Sequence, residues 1–315
     1  MTGGDGVTGG DEARGIAQGP LRGARTGTGG TGDGRGGGPG GEPGEPAIVV
    51  RPDAESAAAA VAETLTGALE AAAARRGRAD LASTGGSTPA AVYRALLAEP
   101  LHGRVPWAVL HLWVGDDRFV PRGDPNGNMG PIDRVLLPGV PELGLAPPPL
   151  DPANLHPWPT DAALAAGRPA AACAAAFEET LRAELAVDAR GRPVFDAILV
   201  GIGPDGHLLS VFPGSAAFEA PGWTTWAPAP QHVEPHLVRV TLTPPALDAT
   251  PGLVVAAFGA AKSAIVADLL GPAHAGPDRD ERTLPALRAR RAGATWVLDA
   301  AAAAGLAGDD PRRVG

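Results

Sequence analysis

Lysine is all but missing from this chain: of its 26 basic residues, 25 are arginine and one is lysine, Lys262. The bias fits a GC-rich coding sequence in which Arg replaces Lys wherever either serves. The surviving ammonium then marks a place where a compact donor is needed and a wide planar fork is not, with chance survival as the alternative. Cysteine is as scarce. The single Cys173 excludes internal disulfides, and within AACAAAF, with no His near it in sequence, it reads as a small buried hydrophobe rather than a nucleophile. Long apolar runs are absent as well: nothing approaches the roughly 20 uninterrupted residues that span a bilayer, and no apolar block of a secretory signal is seen. The expectation is a soluble cytoplasmic protein with no membrane partner. Positive charge is in short supply too, and a net charge of −9 with a pI near 5.3 argues against nucleic acid as a partner. An anionic ligand would need a locally positive pocket.

Residues 1–45 hold 19 of the 45 Gly and almost no large apolar side chains. Such a stretch cannot bury enough surface to offset the entropy of ordering, so an unfolded tail is expected there, and a second over 306–315. Residues 46–305 are enough for one α/β domain. Short apolar runs at 47–50, 79–83, 108–115, 195–201, 237–242, 252–259 and 294–299 read as strands. Helix candidates lie at about 54–75, 89–98, 127–137, 161–187, 261–270 and 285–291, with Thr88 as N-cap and Pro89 at the first position of the second. Alternation of this kind predicts a mostly parallel open sheet flanked by helices, Rossmann-like, in a single domain.

Ligands of such sheets bind beyond the carboxyl ends of the strands, so the residues after each run carry the information. Four runs end in unusual chemistry: STGGSTP (83–89), GDDRFVP (115–121), GIGPDGH (201–207) and GAAK (259–262). In the first, Gly85 and Gly86 let a backbone approach closely, while Ser87, Thr88 and the free N–H groups of the following helix suit an anion. An ordinary strand-to-helix turn is the alternative; this turn itself is neither a Walker loop nor GxGxxG. Arg118, beside Asp116 and Asp117, and Lys262 are candidates to converge on the same phosphate, although Arg118 could instead pair with its neighbours at the surface. His207 reads as a general base, with Asp205 two residues earlier to orient it or the substrate, since metal-ligand spacing is lacking and a core imidazole would not follow PDG. His232 and His236, four apart, precede a strand and form no clear metal pair.

Taken together, GGSTP, GDDRFVP with NGNMG, FDAILVGIGPDGHLLSVFPGS, VRVTLTPPALDAT and FGAAKSAIV resemble the 6-phosphogluconolactonases, within a larger group that includes glucosamine-6-phosphate deaminases. The resemblance runs from about 47 to 303. It implies hydrolysis of 6-phospho-D-glucono-1,5-lactone in the oxidative pentose phosphate pathway, without metal or organic cofactor, and a functional link to the glucose-6-phosphate dehydrogenase that makes the lactone. His207 falls at the family's catalytic His, Arg118 at the Arg of its Asp-Glu-Arg motif and Lys262 at its phosphate-contacting Lys. Asn128 is the match to a usual Asn, Arg239 in VRVTLTP adds a phosphate contact, and either the backbone N–H groups of the Gly-rich 201–206 turn, with Gly203 and Gly206, or Arg118 would serve an oxyanion, the sequence leaving the choice open. Phe212 stands where a deaminase carries a proton-transferring Glu. DDR in place of Asp-Glu-Arg shortens a carboxylate and leaves the role of Asp117 open. A non-catalytic sugar-phosphate sensor on the same fold is the rival reading.

Overall fold

Strands buried on both faces need helices on both sides, and the chain supplies them in alternation. The computed structural model describes residues 44–271, 279–308, 310 and 312–314. Its strands are β1 (Ala47–Arg51), β2 (Ala79–Ser83), β3 (Leu110–Val114), β4 (Asp116–Arg118), β5 (Leu155–His156), β6 (Ala197–Gly201), β7 (Thr224–Ala227), β8 (Arg239–Leu242), β9 (Gly252–Ala257), β10 (Ala294–Asp299) and β11 (Arg313–Val314). The helices are α1 (Ala54–Arg76), α2 (Ser87–Leu97), α3 (Leu101–Arg104), α4 (Met129–Pro131), α5 (Thr160–Ala165), α6 (Ala170–Glu184), α7 (Pro244–Ala249) and α8 (Ser263–Leu270). Eight strands form one parallel sheet in the order β11-β1-β10-β9-β6-β2-β3-β5.

Local chemistry explains the long helix. Asp53 and Ser56 form a reciprocal capping box at its start, and Gly77 closes it in the left-handed region at φ 68°. Val61, Leu65 and Leu69 recur at helical spacing and are fully buried against the sheet, each contributing about 1.5–3 kcal/mol of transfer free energy. Cys173, as expected, is buried on α6, and burial pushes its thiol up to about 12.

Several elements differ from the sequence reading. The strand expected at 237–242 does not join the parallel sheet: β8 lies between β4 and β7 in a separate antiparallel sheet. The helix expected over 161–187 breaks at Gly167 and Pro169 into α5 and α6. Helix α2 begins at Ser87, capped by Gly86 at φ 102°, so Thr88 and Pro89 lie inside its first turn, where a missing N–H still costs nothing. The tail expected over 306–315 is instead tied down. Arg312 pairs with Asp310 and Glu45, and Arg313–Val314 adds a strand to the edge of β1. Glu45, at the end of the Gly-rich stretch, also pairs with Arg290; the rest of that stretch, residues 1–43, lies outside the described residues.

Candidate active site

The order of strands fixes where a ligand can enter. From β2 the chain steps outward through β3 and β5, then returns on the other side of β2 through β6, β9 and β10. Strands β2 and β6 are hydrogen-bonded neighbours whose following loops leave in opposite directions, which opens a crevice at their carboxyl ends. Those two loops, the loop after β9, and the small sheet enclose a cavity of about 250 Å³. The size suits one small polar molecule.

Gly85, Gly86 and Thr88 line one wall, at the N-terminus of α2, which has no side-chain cap. Its unsatisfied N–H groups and helix dipole favour an anion there. Ser87 opens that helix. Asn128 packs so closely on Gly85 that a Cβ there would lie 2.1 Å from Asn128 Oδ1.

The opposite wall is cationic. Antiparallel register sets Arg118 of β4 directly against Arg239 of β8, and both line the cavity with Lys262. Arg239 is only 2 % exposed, and burial together with the neighbouring Arg118 charge lowers its guanidinium to about 10. Arg118 donates to the Asn126 carbonyl (2.5 Å) and Arg239 to the Pro235 carbonyl (2.7 Å). The Nε of each is buried without a hydrogen-bond partner among the described residues. Two like charges held side by side with donors unspent make a site for an anion.

The carboxylates nearby are spent on structure. Asp116 accepts from Thr84 Oγ1 (2.8 Å), Asn128 Nδ2 (3.1 Å) and Ser210 Oγ (2.6 Å), tying the loops after β2, β3 and β6 together. Asp117 accepts the backbone N–H groups of Asn128 (2.6 Å) and Arg118 (2.7 Å) and does not line the cavity. Burial, reinforced by Asp116, raises its carboxyl to about 7 against the lowering effect of those N–H donors. The residue left open by the sequence is therefore a loop organiser.

His207 closes the floor. Its Nδ1 lies 2.5 Å from Asp205 Oδ1, and the second oxygen, Oδ2, lies 2.8 Å from His232 Nε2. Burial would raise the Asp205 carboxyl, but the hydrogen bonds and charge of His207 and the hydrogen bond of His232 hold it well below the usual carboxylate range. An ionised carboxylate only accepts, so both imidazole nitrogens facing it carry protons, and His207 keeps Nε2 as its free lone pair. Gly203 allows this pairing: a Cβ there would stand 2.1 Å from His207 Nδ1 and 2.3 Å from Asp205 Oδ1. Gly206, at φ 81°, packs on Leu284.

Neither glycine lines the cavity, and the expectation that they serve an oxyanion meets a physical obstacle. The Gly203 N–H donates to the His207 carbonyl and the Gly206 N–H to the Gly203 carbonyl, both at 3.0 Å. Lys262 Nζ donates to the Ile202 carbonyl (2.7 Å), which braces the same turn. Burial lowers the Lys262 ammonium while Asp205 pulls it back up. Leu209, two residues beyond the base, adopts φ 55°, a left-handed conformation rare for a branched side chain, and lines the cavity. The Phe212 ring lies 4.7 Å from that of His207. Among the described residues no group of three or more His, Cys, Asp or Glu is placed to hold a metal ion.

Sequence reasoning missed Thr84, Ser210, Val233 and Glu234 in or around this cavity, and His232 beside the base. Only His232 carried a signal, being one of 7 His, and its partner is 27 residues away.

Comparison with known proteins bears on the fold and the family. The family model for glucosamine-6-phosphate isomerases/6-phosphogluconolactonase matches residues 52–297. The chain belongs to that family. A 6-phosphogluconolactonase of Streptomyces coelicolor is 34 % identical over 266 residues, covering 83 % of this chain and 95 % of that one. One from Mycobacterium tuberculosis is 34 % identical over 261 residues, covering 82 % and 98 %. Among family structures, the 6-phosphogluconolactonase of Trypanosoma brucei superposes with a TM-score of 0.67 at 26 % identity, over 84 % of this chain and all of the other (100 %).

Proposed function

We propose that this protein hydrolyses 6-phospho-D-glucono-1,5-lactone to 6-phospho-D-gluconate, in the cytoplasm, with the sheet from β1 to β11 and its helices as the lactonase domain. The observation that carries the reading is a single cavity lined both by Arg118, Arg239, Lys262 and the N-terminus of α2 and by His207, whose Nδ1 is fixed by Asp205. A δ-lactone carbonyl is already electrophilic, so one activated water and a donor for the oxyanion suffice. His207 Nε2 takes the proton of a water as its oxygen bonds to C1. The ring C–O bond then breaks as the carbonyl re-forms, and the departing alkoxide takes a proton back from the imidazolium.

The substrate phosphate is held by the N-terminus of α2 at Gly85–Thr88 with Arg239 and Lys262, which sets C1 against the base. With the N–H groups of Gly203 and Gly206 spent within their turn, Arg118 is the donor for the oxyanion. Phe212, not a carboxylate, lies against His207; Phe transfers no proton, which disfavours deaminase chemistry. The lactone is supplied by glucose-6-phosphate dehydrogenase, which gives the functional link between the two enzymes.

The test generates the lactone in place with that dehydrogenase and follows its decay by NMR. Wild type is expected to exceed the spontaneous rate strongly, and a folded His207→Ala protein to lose that excess. No acceleration by a wild-type protein that binds 6-phosphogluconate would overturn the reading in favour of a sensor.

A further inference from the structure

Asp205 has two carboxylate oxygens, and only one serves the base. The other accepts from His232 Nε2 (2.8 Å), a side chain 55 % exposed that belongs to the segment between β7 and β8, not to the turn that carries His207. The segment does more than reach Asp205. Val233, next in the chain, packs against the small apolar cluster that contains Phe212, and Val233 and Glu234 form part of the cavity wall. Two residues further, the Pro235 carbonyl accepts from Arg239. One short stretch is thus fastened at one end to the carboxylate behind the base and at the other to a guanidinium of the anion site.

A carboxylate held through a single oxygen can rotate about its Cβ–Cγ bond and swap oxygens, and each excursion lets the imidazole turn. Fastening the second oxygen removes that freedom, and because an ionised carboxylate only accepts, His232 presents a protonated Nε2 to it. A surface imidazole with no such task would be better hydrated than bonded to a carboxylate only 17 % exposed.

We propose that His232 is a positioning residue for lactone hydrolysis, acting through Asp205 to keep His207 Nε2 aimed at the attacking water; this rests on the lactonase reading of the site. It touches neither water nor lactone. Its contribution is orientation, so it is read in turnover rather than in substrate affinity.

The experiment compares the full chain with His232→Ala and His232→Gln, the latter keeping an N–H donor on a flexible side chain. For His232→Ala, kcat is expected to fall by about tenfold, the scale of one lost hydrogen bond, with KM changed by less than about twofold. His232→Gln should recover most of the loss. A second readout needs no substrate: the downfield Nδ1–H proton resonance of His207, held in its bond to Asp205, should broaden through solvent exchange in His232→Ala and sharpen again in His232→Gln. Wild-type kcat and an unchanged His207 resonance in His232→Ala would sink the proposal. So would a lowered kcat that Gln does not rescue while the resonance stays put, since that pattern belongs to a merely structural contact. If the wild type itself fails to hydrolyse the lactone, the functional reading fails separately, and the resonance comparison still decides whether His232 orders the base.

Discussion

Replacing Asp205 by Asn removes one charge and almost no volume, and the hydrogen bonds around the side chain determine the outcome. The carboxylate accepts from His207 Nδ1 on one oxygen and from His232 Nε2 on the other. An amide offers one oxygen and one NH2, so one imidazole must become the acceptor. His232 is 55 % exposed and can change tautomer against water, whereas His207 is 18 % exposed. The amide oxygen therefore stays on His207 and the correct tautomer of the base survives. What disappears is the negative charge facing the imidazolium that forms as water is deprotonated. The bond persists but becomes neutral, so the loss is the difference between a charged hydrogen bond of about 1.5–3 kcal/mol and a neutral one of about 1 kcal/mol, that is about 0.5–2 kcal/mol or about a two- to 30-fold loss in kcat. Lactone decay measured at saturating substrate should give a loss in that range, with KM within about twofold and an unaltered thermal unfolding curve. Unchanged kcat would refute the role of the charge. A loss near 10⁴-fold would refute the tautomer argument, because it would mean that the amide had turned its NH2 toward His207.

The two arginines should separate by kinetic parameter. Arg239→Ala is expected to raise KM by about ten- to 100-fold with a smaller change in kcat, and Arg118→Ala to lower kcat by about 100-fold or more; the reverse assignment would exchange their roles. Asp117 predicts a pH effect on stability. Its carboxyl is raised from 3.8 to about 7 in the fold, so the folded chain keeps a proton that the unfolded chain releases. The resulting stability is full below the unfolded value and is lost as pH rises through about 7. Asp117→Asn keeps an oxygen for the Asn128 and Arg118 N–H groups while abolishing that titration. In urea unfolding the gap in stability between pH 5 and pH 8 should shrink by on the order of 1 kcal/mol or more. An unchanged gap would show that another group is responsible.

The parallel sheet was legible because its strands are short apolar runs set between helical segments, and apolar periodicity is a local property. The loops after β2, β6 and β9 were legible for the same reason: each follows its strand directly. The small sheet was not, because β4 is three residues long and β8 reads like any other buried strand. Nothing local says that Asp116–Arg118 will pair with a strand about 120 positions away. Arg118 and Arg239 could therefore be nominated singly but not as a facing pair. His232 was hidden similarly: its nearest chemical partner, Asp205, is remote in sequence, and a lone His in a Pro-containing loop has no periodicity to declare its direction. At Gly203 and Gly206 the signal was present and its meaning differed. Glycine at 203 leaves room for the His207–Asp205 pair and at 206 turns the chain, and the N–H groups of both are bonded within the turn.

A chain with a net charge of −9 can hold an anion site because of where its acids are spent. The carboxylates in and behind the cavity wall have partners: Asp116 has three side-chain donors, Asp117 two backbone N–H groups, Asp205 two imidazoles, and Glu234 lies 3.0 Å from His236 Nε2. None is paired with Arg118, Arg239 or Lys262 at hydrogen-bond distance among the described residues, and those cations hydrogen-bond through their side chains only to neutral carbonyls. A carbonyl satisfies a donor without cancelling its charge. The three cations therefore face the cavity with no carboxylate hydrogen-bonded to them, and although the charges of Asp116, Asp117 and Asp205 act on Arg239 and Lys262 from nearby, burial still lowers both pKa values. Interactions of that kind are screened far less by salt than surface pairs are. On the proposed reading, phosphate recognition would depend on these local donors rather than on the sign of the whole surface, so net charge and ligand charge can agree in sign without conflict.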